Sequence, residues 1–453
     1  MTTSHLPART KWIYGSGDLG FSMSLTILAA YFAIFLTDVV GLAPGVAALA
    51  IFIGRTTDYI NDPLIGYLSD RTRSRWGRRR PFLLFGALPF ALAFILLWIK
   101  PPFTGTLPLA IYYAAAYVLF DVAATFVYMP YFALTPELTD SYDERTSLTS
   151  HRMFFSILGS LIAFTVPLII IGSFNPENAS RVFWMGVLFA VLSAAPLIGV
   201  FFGTRERSEF QEAPPPRLLE SLKSAAKNRP FIFSAVMYLL TWISMDILQV
   251  NLLFFLKYVV GREAESDIIM GAIFITAMCT LPFWNWVSRR WNKRLAYSVG
   301  VAFWAVIQLL LITLGPGSPL PLILGMSILA GIGVGAAHVL PWSIIPDAIE
   351  YDEFQTGARH EGVFYSLITL AQKIASSIAI PLTLLVLEAT GYQANSAVQP
   401  ASALLGIRLV IGPIPAVLLI IGILFAWLYP LSREQHAAMV RELEARRKKD
   451  TNI

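Results

Sequence analysis

Charge is scarce in this chain, and cysteine is almost missing. Lysine, arginine, aspartate and glutamate make up 14% of the 453 residues, whereas hydrophobic residues make up 56%. The formal charge of +5 is no mark of nucleic-acid binding, because the basic residues follow a membrane pattern set out below. Cys279 is alone, so no internal disulfide is possible and the redox compartment is not readable from it. There is no glycine-rich phosphate cradle, no metal-ligand cluster and no nucleophile beside a base. These absences argue against an enzyme and against a bound cofactor.

Long apolar runs take their place. Twelve reach spanning length, at about 14–37, 45–68, 81–99, 107–134, 152–173, 181–202, 230–257, 266–288, 294–315, 319–346, 362–391 and 405–430. The chain is therefore expected to be an all-α membrane protein with twelve transmembrane helices. Arg71, Arg73, Arg75, Arg78, Arg79 and Arg80 crowd the connection after span two. Further basic groups fill 203–229, follow span eight and close the tail, while the alternate loops hold few, such as Lys100 and Arg181. The positive-inside rule then places both termini in the cytoplasm, in a plasma membrane, the inner membrane if the cell is prokaryotic. Arg9 and Lys11 resemble a signal n-region, but the run that follows is too long for a signal and reads as span one. The tail from Ser432 to Lys449 reads as a basic amphipathic helix on the anionic inner leaflet.

Span two carries Asp58-Tyr59-Ile60-Asn61-Asp62-Pro63. Asp58, Asn61 and Asp62 stand at i, i+3 and i+4, on one helix face, with Arg55 one turn earlier. A charge at bilayer depth costs about 2.5–3.5 kcal/mol even on insertion scales, so such a face turns to a bundle interior or an aqueous cavity. Several hard oxygen donors together suit Na+ or a shuttled proton. An Arg55–Asp58 ion pair that only joins helices is the alternative, and it leaves Asp62 unexplained.

The halves repeat. Arg75-Trp76-Gly77-Arg78-Arg79 after span two is matched by Arg290-Trp291-Asn292-Lys293-Arg294 after span eight. Pro130-Tyr131, Pro136-Glu137-Leu138 and Tyr142-Asp143-Glu144 are matched by Pro341-Trp342, Pro346-Asp347-Ala348 and Tyr351-Asp352-Glu353. Both matches are displaced by close to half the chain, which argues for duplication of a six-helix unit. The expected division is a bundle at 1–202, a cytoplasmic linker at 203–229, a second bundle at 230–431 and a tail at 432–453.

The span-two motif, Arg73-Ser74-Arg75-Trp76-Gly77, Tyr14-Gly15-Ser16-Gly17-Asp18 and the run from Asp347 to Gly357 resemble the glycoside–pentoside–hexuronide:cation symporters. That melibiose-carrier-like family belongs to the major facilitator superfamily. The resemblance implies two pseudo-symmetric six-helix bundles and cation-coupled uptake of a saccharide or glycoside with Na+ or H+, by alternating access. It also implies a cation site at Asp58, Asn61, Asp62 and Thr125, with Lys373 in a coupling role beside Arg55. The family's sugar-clamping aspartates and tryptophan are replaced here by Ser22, Tyr128 and Phe132, while its span-five arginine persists as Arg152. A carrier of an amphiphile such as a lysolipid is thus the alternative, and a non-transporting sensor on the same fold is another.

Other polar groups are candidates for the substrate. Asp121, Thr125, Tyr128 and Phe132 share one face of span four, and Asp18 and Ser22 one face of span one. Asp246 lies in span seven and His338 in span ten. The substrate-contact set is therefore Asp18, Ser22, Asp121, Tyr128, Phe132, Arg152, Asp246 and His338. At the cytoplasmic end, Asp70, Arg71, Arg75 and Arg78 are expected to pair with Glu137, Asp143 and their neighbour Arg145 in a gate. Asp347 and Arg359 are expected to act likewise in the second half. The partners expected are a small molecule and the bilayer, with no nucleic acid, around a monomer. The topology has a direct test: a cysteine placed in 203–229 is shielded from impermeant thiol reagents in intact cells, and one at Glu263 is labelled. The opposite labelling pattern overturns the orientation.

Overall fold

A computed structural model describes residues 6–102, 104–139, 142–206, 225–357, 361–396, 398–431 and 433–451. Among them the regular structure is entirely helical. α1 (Ala8–Ile34) runs into a π-helical turn, Phe35–Val40, and is followed by α2 (Pro44–Thr56) and α3 (Asp58–Arg71). Next come α4 (Arg80–Leu97), α5 (Thr106–Leu138), α6 (Tyr142–Ile171) and α7 (Ala179–Gly203). α8 (Arg229–Phe254) also ends in a π-helical turn, Phe255–Val260. α9 (Ser266–Arg290), α10 (Lys293–Leu311), α11 (Leu320–Thr356) and α12 (Glu361–Ala389) follow. α13 (Ala401–Ile411) and α14 (Pro413–Trp427) form the last apolar stretch, and α15 (Arg433–Thr451) is the tail.

Among the described residues eleven stretches are long and apolar enough to cross a membrane. The remaining expected span, 45–68, is α2 and α3 together, broken at Thr57 into pieces of 13 and 14 residues. Local chemistry weakens the helical ladder on both sides of the break. The Thr57 hydroxyl donates to the Gly54 carbonyl at 2.6 Å, and Pro63 has no N–H to offer the Tyr59 carbonyl. The interruption therefore falls where the carboxylates begin.

The two π-helical turns reveal a third repeat. Phe35-Leu36-Thr37-Asp38-Val39-Val40-Gly41 corresponds to Phe255-Leu256-Lys257-Tyr258-Val259-Val260-Gly261. Both copies stop at a glycine in the left-handed region, with φ of 89° at Gly41 and 72° at Gly261.

By their contacts the residues form two compact units. The first holds residues 1–213, 249–271 and 377–407, and the second holds 214–248, 272–376 and 408–453. The division thus cuts through α8, α9, α12 and α13 as well as the connection after α7. Inside the first unit α1 packs along α6 and α7. The approach is close because a Cβ at Gly20 would lie 2.2 Å from the Ser193 carbonyl oxygen, and one at Gly159 would lie 2.6 Å from that of Leu19. Inside the second unit α10 packs on α11 and α14. Phe231, Tyr238, Ile345, Ile349, Phe364 and Ile368 form a buried cluster there.

The tail does not present only a polar and basic surface. α15 packs on α11, with Met439 and Leu443 buried. His436 Nε2 lies 2.7 Å from a Glu350 oxygen and 3.6 Å from one of Asp347, and Lys293 holds Asp347 at 2.5 Å. The hydrogen bond to Glu350 leads in raising the His436 pKa above its usual value; the charges of Asp347 and Glu350 add to it, against burial and Lys293. A histidine raised on folding contributes its full stabilisation below its unfolded value of 6.5 and loses it as pH climbs through the raised value. A nitroxide on Ala437→Cys, in a Cys279→Ala background, is therefore immobile at pH 6 and gains mobility as pH climbs through the raised His436 value. In His436→Ala it is mobile throughout. Equal mobility across that range in the parent chain contradicts the contribution of His436 to the docking.

Candidate functional site

In the first unit the beginning of α3 meets the middle of α5. The Thr125 hydroxyl lies 3.5 Å from an Asp58 oxygen and 3.4 Å from an Asp62 oxygen. Asp121, one turn earlier on α5, accepts hydrogen bonds from the Thr57 hydroxyl at 2.8 Å and from the Asn61 amide at 3.0 Å. Its carboxylate also interacts electrostatically with that of Asp58. Asp58, Asn61, Asp62 and Thr125 are thus brought together as the sequence implied. Asp121, expected at the substrate, is placed with them instead. Like charges this close repel, and a monovalent cation among their oxygens removes the repulsion. Arg55 lines a small cavity of about 20 Å³ with Leu25, Phe32, Ile51, Tyr117 and Ile380.

A polar ladder joins α1 to α6. Arg152 Nε donates to Asp18 at 3.0 Å, the Ser22 and Ser156 hydroxyls meet at 2.6 Å, and Thr26 donates to Ser160 at 3.3 Å. Each rung is one helical turn above the last on both helices, which is why i, i+4 spacing lines them up. The Arg152 guanidinium lies 4.5 Å from the centre of the Phe132 ring and 5.5 Å from that of Tyr131. Phe21 packs on Tyr128 at 4.6 Å and on Phe132 at 5.0 Å, and the buried Tyr128 hydroxyl closes no hydrogen bond. Asp18, Ser22, Tyr128, Phe132 and Arg152 therefore form one neighbourhood. Removing one partner of a buried ion pair of this kind costs about 3–5 kcal/mol.

Asp246, His338 and Lys373 belong to the second unit. Asp246 accepts a hydrogen bond from the Ser376 hydroxyl. His338 Nδ1 lies 3.1 Å from the Val334 carbonyl of its own helix, and its ring meets Trp242 edge-on at 6.1 Å. Half-buried Lys373 sits one turn before Ser376 on α12.

At the end of the first unit that holds the N-terminus, Glu137 is the centre of a cluster. Arg78 Nη2 reaches it at 2.7 Å and Arg79 Nε at 3.1 Å, and Arg79 also holds Asp70. Burial draws the Arg78 pKa down, but its bond to Glu137 and that group's charge outweigh this and leave it above the usual value. Glu206 accepts from the backbone N–H groups of Arg78, Arg79 and Arg80 at 2.6, 2.9 and 2.8 Å, capping the start of α4. Asp70, Arg78 and Glu137 thus meet as expected. Arg71 and Arg75 do not join them: they lie over the rings of Tyr67 and Trp76 at 4.1 and 4.4 Å. Arg145 donates to the Thr139 carbonyl at 2.9 Å, and Lys11 pairs with Glu144 at 2.9 Å. Asp347 is held by Lys293, as above. The Asp143 side chain and Arg359 lie outside the described residues. Arg79, Glu206, Lys11, Lys293 and His436 were missed. The repeat of basic residues after spans two and eight was the signal for Arg79 and Lys293, whereas Glu206 and His436 had none.

Known proteins agree with this architecture. The nucleoside transporter NupG superposes with a TM-score of 0.65 over 92% of this chain and 99% of its own, at 12% identity, which speaks to the fold alone. An uncharacterized symporter of Synechocystis sp. is 33% identical over 98% of both chains. A second uncharacterized symporter, from Bacillus subtilis, is 32% identical over 96% of this chain and 94% of its own. The sodium-dependent lysophosphatidylcholine symporter 1-A of Danio rerio is 29% identical over 96% of this chain and 88% of its own. The pattern of the MFS/sugar transport protein family matches residues 13–433, and the chain belongs to that family.

Proposed function

We propose that the protein is a Na+-coupled symporter of the glycoside–pentoside–hexuronide type, working by alternating access on a substrate that carries an oxyanion. The observation that carries the coupling is the cluster of Asp58, Asp62 and Asp121 around Thr125 and Asn61. Hard, anionic oxygens with a hydroxyl and an amide suit a small monovalent cation. Binding that cation removes a repulsion within the bundle, and so favours the conformation that also binds substrate.

The substrate reading rests on Arg152. Asp18 meets it through Nε alone, a single-point contact, whereas a carboxylate or phosphate engages a guanidinium best through a two-point fork. The aromatic rings of Tyr131 and Phe132 hold the guanidinium in place for such a ligand. Asp18, Asp121 and Asp246 each have protein partners, so a clamp of carboxylates on neutral sugar hydroxyls is not their first role. A saccharide or glycoside bearing a carboxylate fits the family and the arginine. A lysophospholipid is the second reading, favoured by the named activity of the Danio rerio relative and by the aromatic surround of Arg152.

Asp58→Asn or Asp62→Asn in proteoliposomes abolishes accumulation of substrate against its gradient while downhill exchange survives. Full accumulation by both variants removes them from the coupling site. Thermal stabilisation of the purified protein separates the substrates. A hexuronide or lysophosphatidylcholine raises Tm in NaCl more than in choline chloride, and Arg152→Gln weakens that binding by about tenfold or more. An uncharged saccharide that stabilises the parent and Arg152→Gln alike overturns the oxyanion reading. Stabilisation that follows pH and ignores Na+ makes the ion a proton.

A further inference from the structure

Asp38 lies at the end of α1 remote from the N-terminus and is fully buried. Its Oδ2 accepts from Lys257 Nζ at 2.7 Å and from the Tyr258 hydroxyl, and its Oδ1 from Thr37 at 2.8 Å and from the Tyr392 hydroxyl. The Asn395 side-chain amide donates to the Asp38 carbonyl, and the Asn395 backbone N–H donates to the Tyr258 hydroxyl at 3.0 Å. Lys257 also donates to the Phe174 carbonyl at 2.5 Å and to Asn395 Oδ1 at 3.2 Å. Glu263 accepts from the Phe174 N–H at 2.9 Å. One carboxylate thus gathers the ends of α1 and α8, and draws in the connections after α6 and α12. None of these groups belongs to the cation cluster or to the ladder at Arg152.

We propose that Asp38, Lys257, Tyr258, Tyr392 and Asn395 form a releasable latch that closes the membrane face opposite the N-terminus. It rests on the alternating-access reading above. Three observations support release as well as closure. The contacts are made by side chains, so they part without melting a helix. The two main contributors are the matching π-helical turns of the third repeat, Asp38 standing where the other copy has Tyr258, and Lys257 where it has Thr37. Such turns are often functional, because an extra residue per turn re-aims side chains at low cost. Finally, the segments 249–271 and 377–407, which begin inside α8 and α12 and carry these groups beyond the helix ends, belong to the first unit, whereas the earlier parts of both helices do not. A carrier that exposes its site to that face has to separate those portions from α1. A carboxylate held by four side-chain donors gives two discrete arrangements, made or broken, as a gate requires.

The test uses the full chain in proteoliposomes, with Cys279→Ala and a single reporter, Met270→Cys. Met270 is fully buried one turn into α9, beside Tyr31. Its reaction with an impermeant maleimide reports opening and needs no substrate, so it is independent of what the protein carries. Asp38→Asn and Lys257→Gln each raise the labelling rate by about tenfold or more, as loss of a charge-assisted bond predicts. Na+-induced stabilisation is retained in both, because the cation cluster is untouched. Tyr392→Phe, which deletes one hydroxyl, raises labelling by a smaller factor and carries the test if the charge variants fail to fold. An unchanged rate in folded Asp38→Asn, or in Tyr392→Phe where Asp38→Asn does not fold, overturns the latch.

Discussion

The cost of holding carboxylates at membrane depth is the constraint on which the rest of this structure depends. Asp58 and Asp62 lie within 3.5 Å of the Thr125 hydroxyl, and Asp121, one turn from Thr125, binds the Thr57 hydroxyl and the Asn61 amide. Each charge costs about 2.5–3.5 kcal/mol on insertion scales, and mutual repulsion adds to that. Two structural consequences follow. The helix that carries Asp58 and Asp62 is interrupted at Thr57, which sets Asp58 in the first turn of α3, where the helix dipole favours it. And Asp121 accepts two donors, Thr57 and Asn61, that come from the same short stretch.

The two ends of the first unit are closed by different chemistry. Where the N-terminus lies, Glu137 collects Arg78 and Arg79, and Glu206 caps the backbone that presents them. Glu137 and Arg79 are themselves buried while Asp70 is exposed, so the cluster holds as a network with one edge in solvent. At the other end Asp38 is fully buried, and its carboxylate is held by Lys257, Tyr258, Thr37 and Tyr392. A buried carboxylate stripped of its donors is costly, so that end behaves as a switch with two states rather than as a graded contact.

Much of this was legible beforehand. Hydropathy marked all the apolar stretches, because a run of about 20 residues has few other uses. The i, i+3, i+4 spacing of Asp58, Asn61 and Asp62 gave the polar face that meets α5, and Thr125 came from resemblance. The meeting of Asp121 with Thr57 and Asn61 was not legible: helical periodicity says which residues point together, not which helix they meet. The third repeat escaped because its chemistry differs between copies, Thr37-Asp38 against Lys257-Tyr258, while only the apolar frame and glycine are kept. Glu206 and His436 act across long sequence separations, on a backbone and on a second helix, and no local pattern encodes such meetings. The tail was read from its charge, whereas Met439 and Leu443 determine where it packs.

The central claim is that the carboxylates of α3 and α5 share one monovalent cation. Calorimetric titration of the purified protein with Na+ tests it directly. One Na+ binds per chain in the parent, Asp62→Asn removes the binding, and Asp121→Asn weakens it by about tenfold, the effect of one lost charge contact in a partly buried site. A parent that binds no Na+, or an Asp62→Asn variant that binds it as tightly as the parent, contradicts the account.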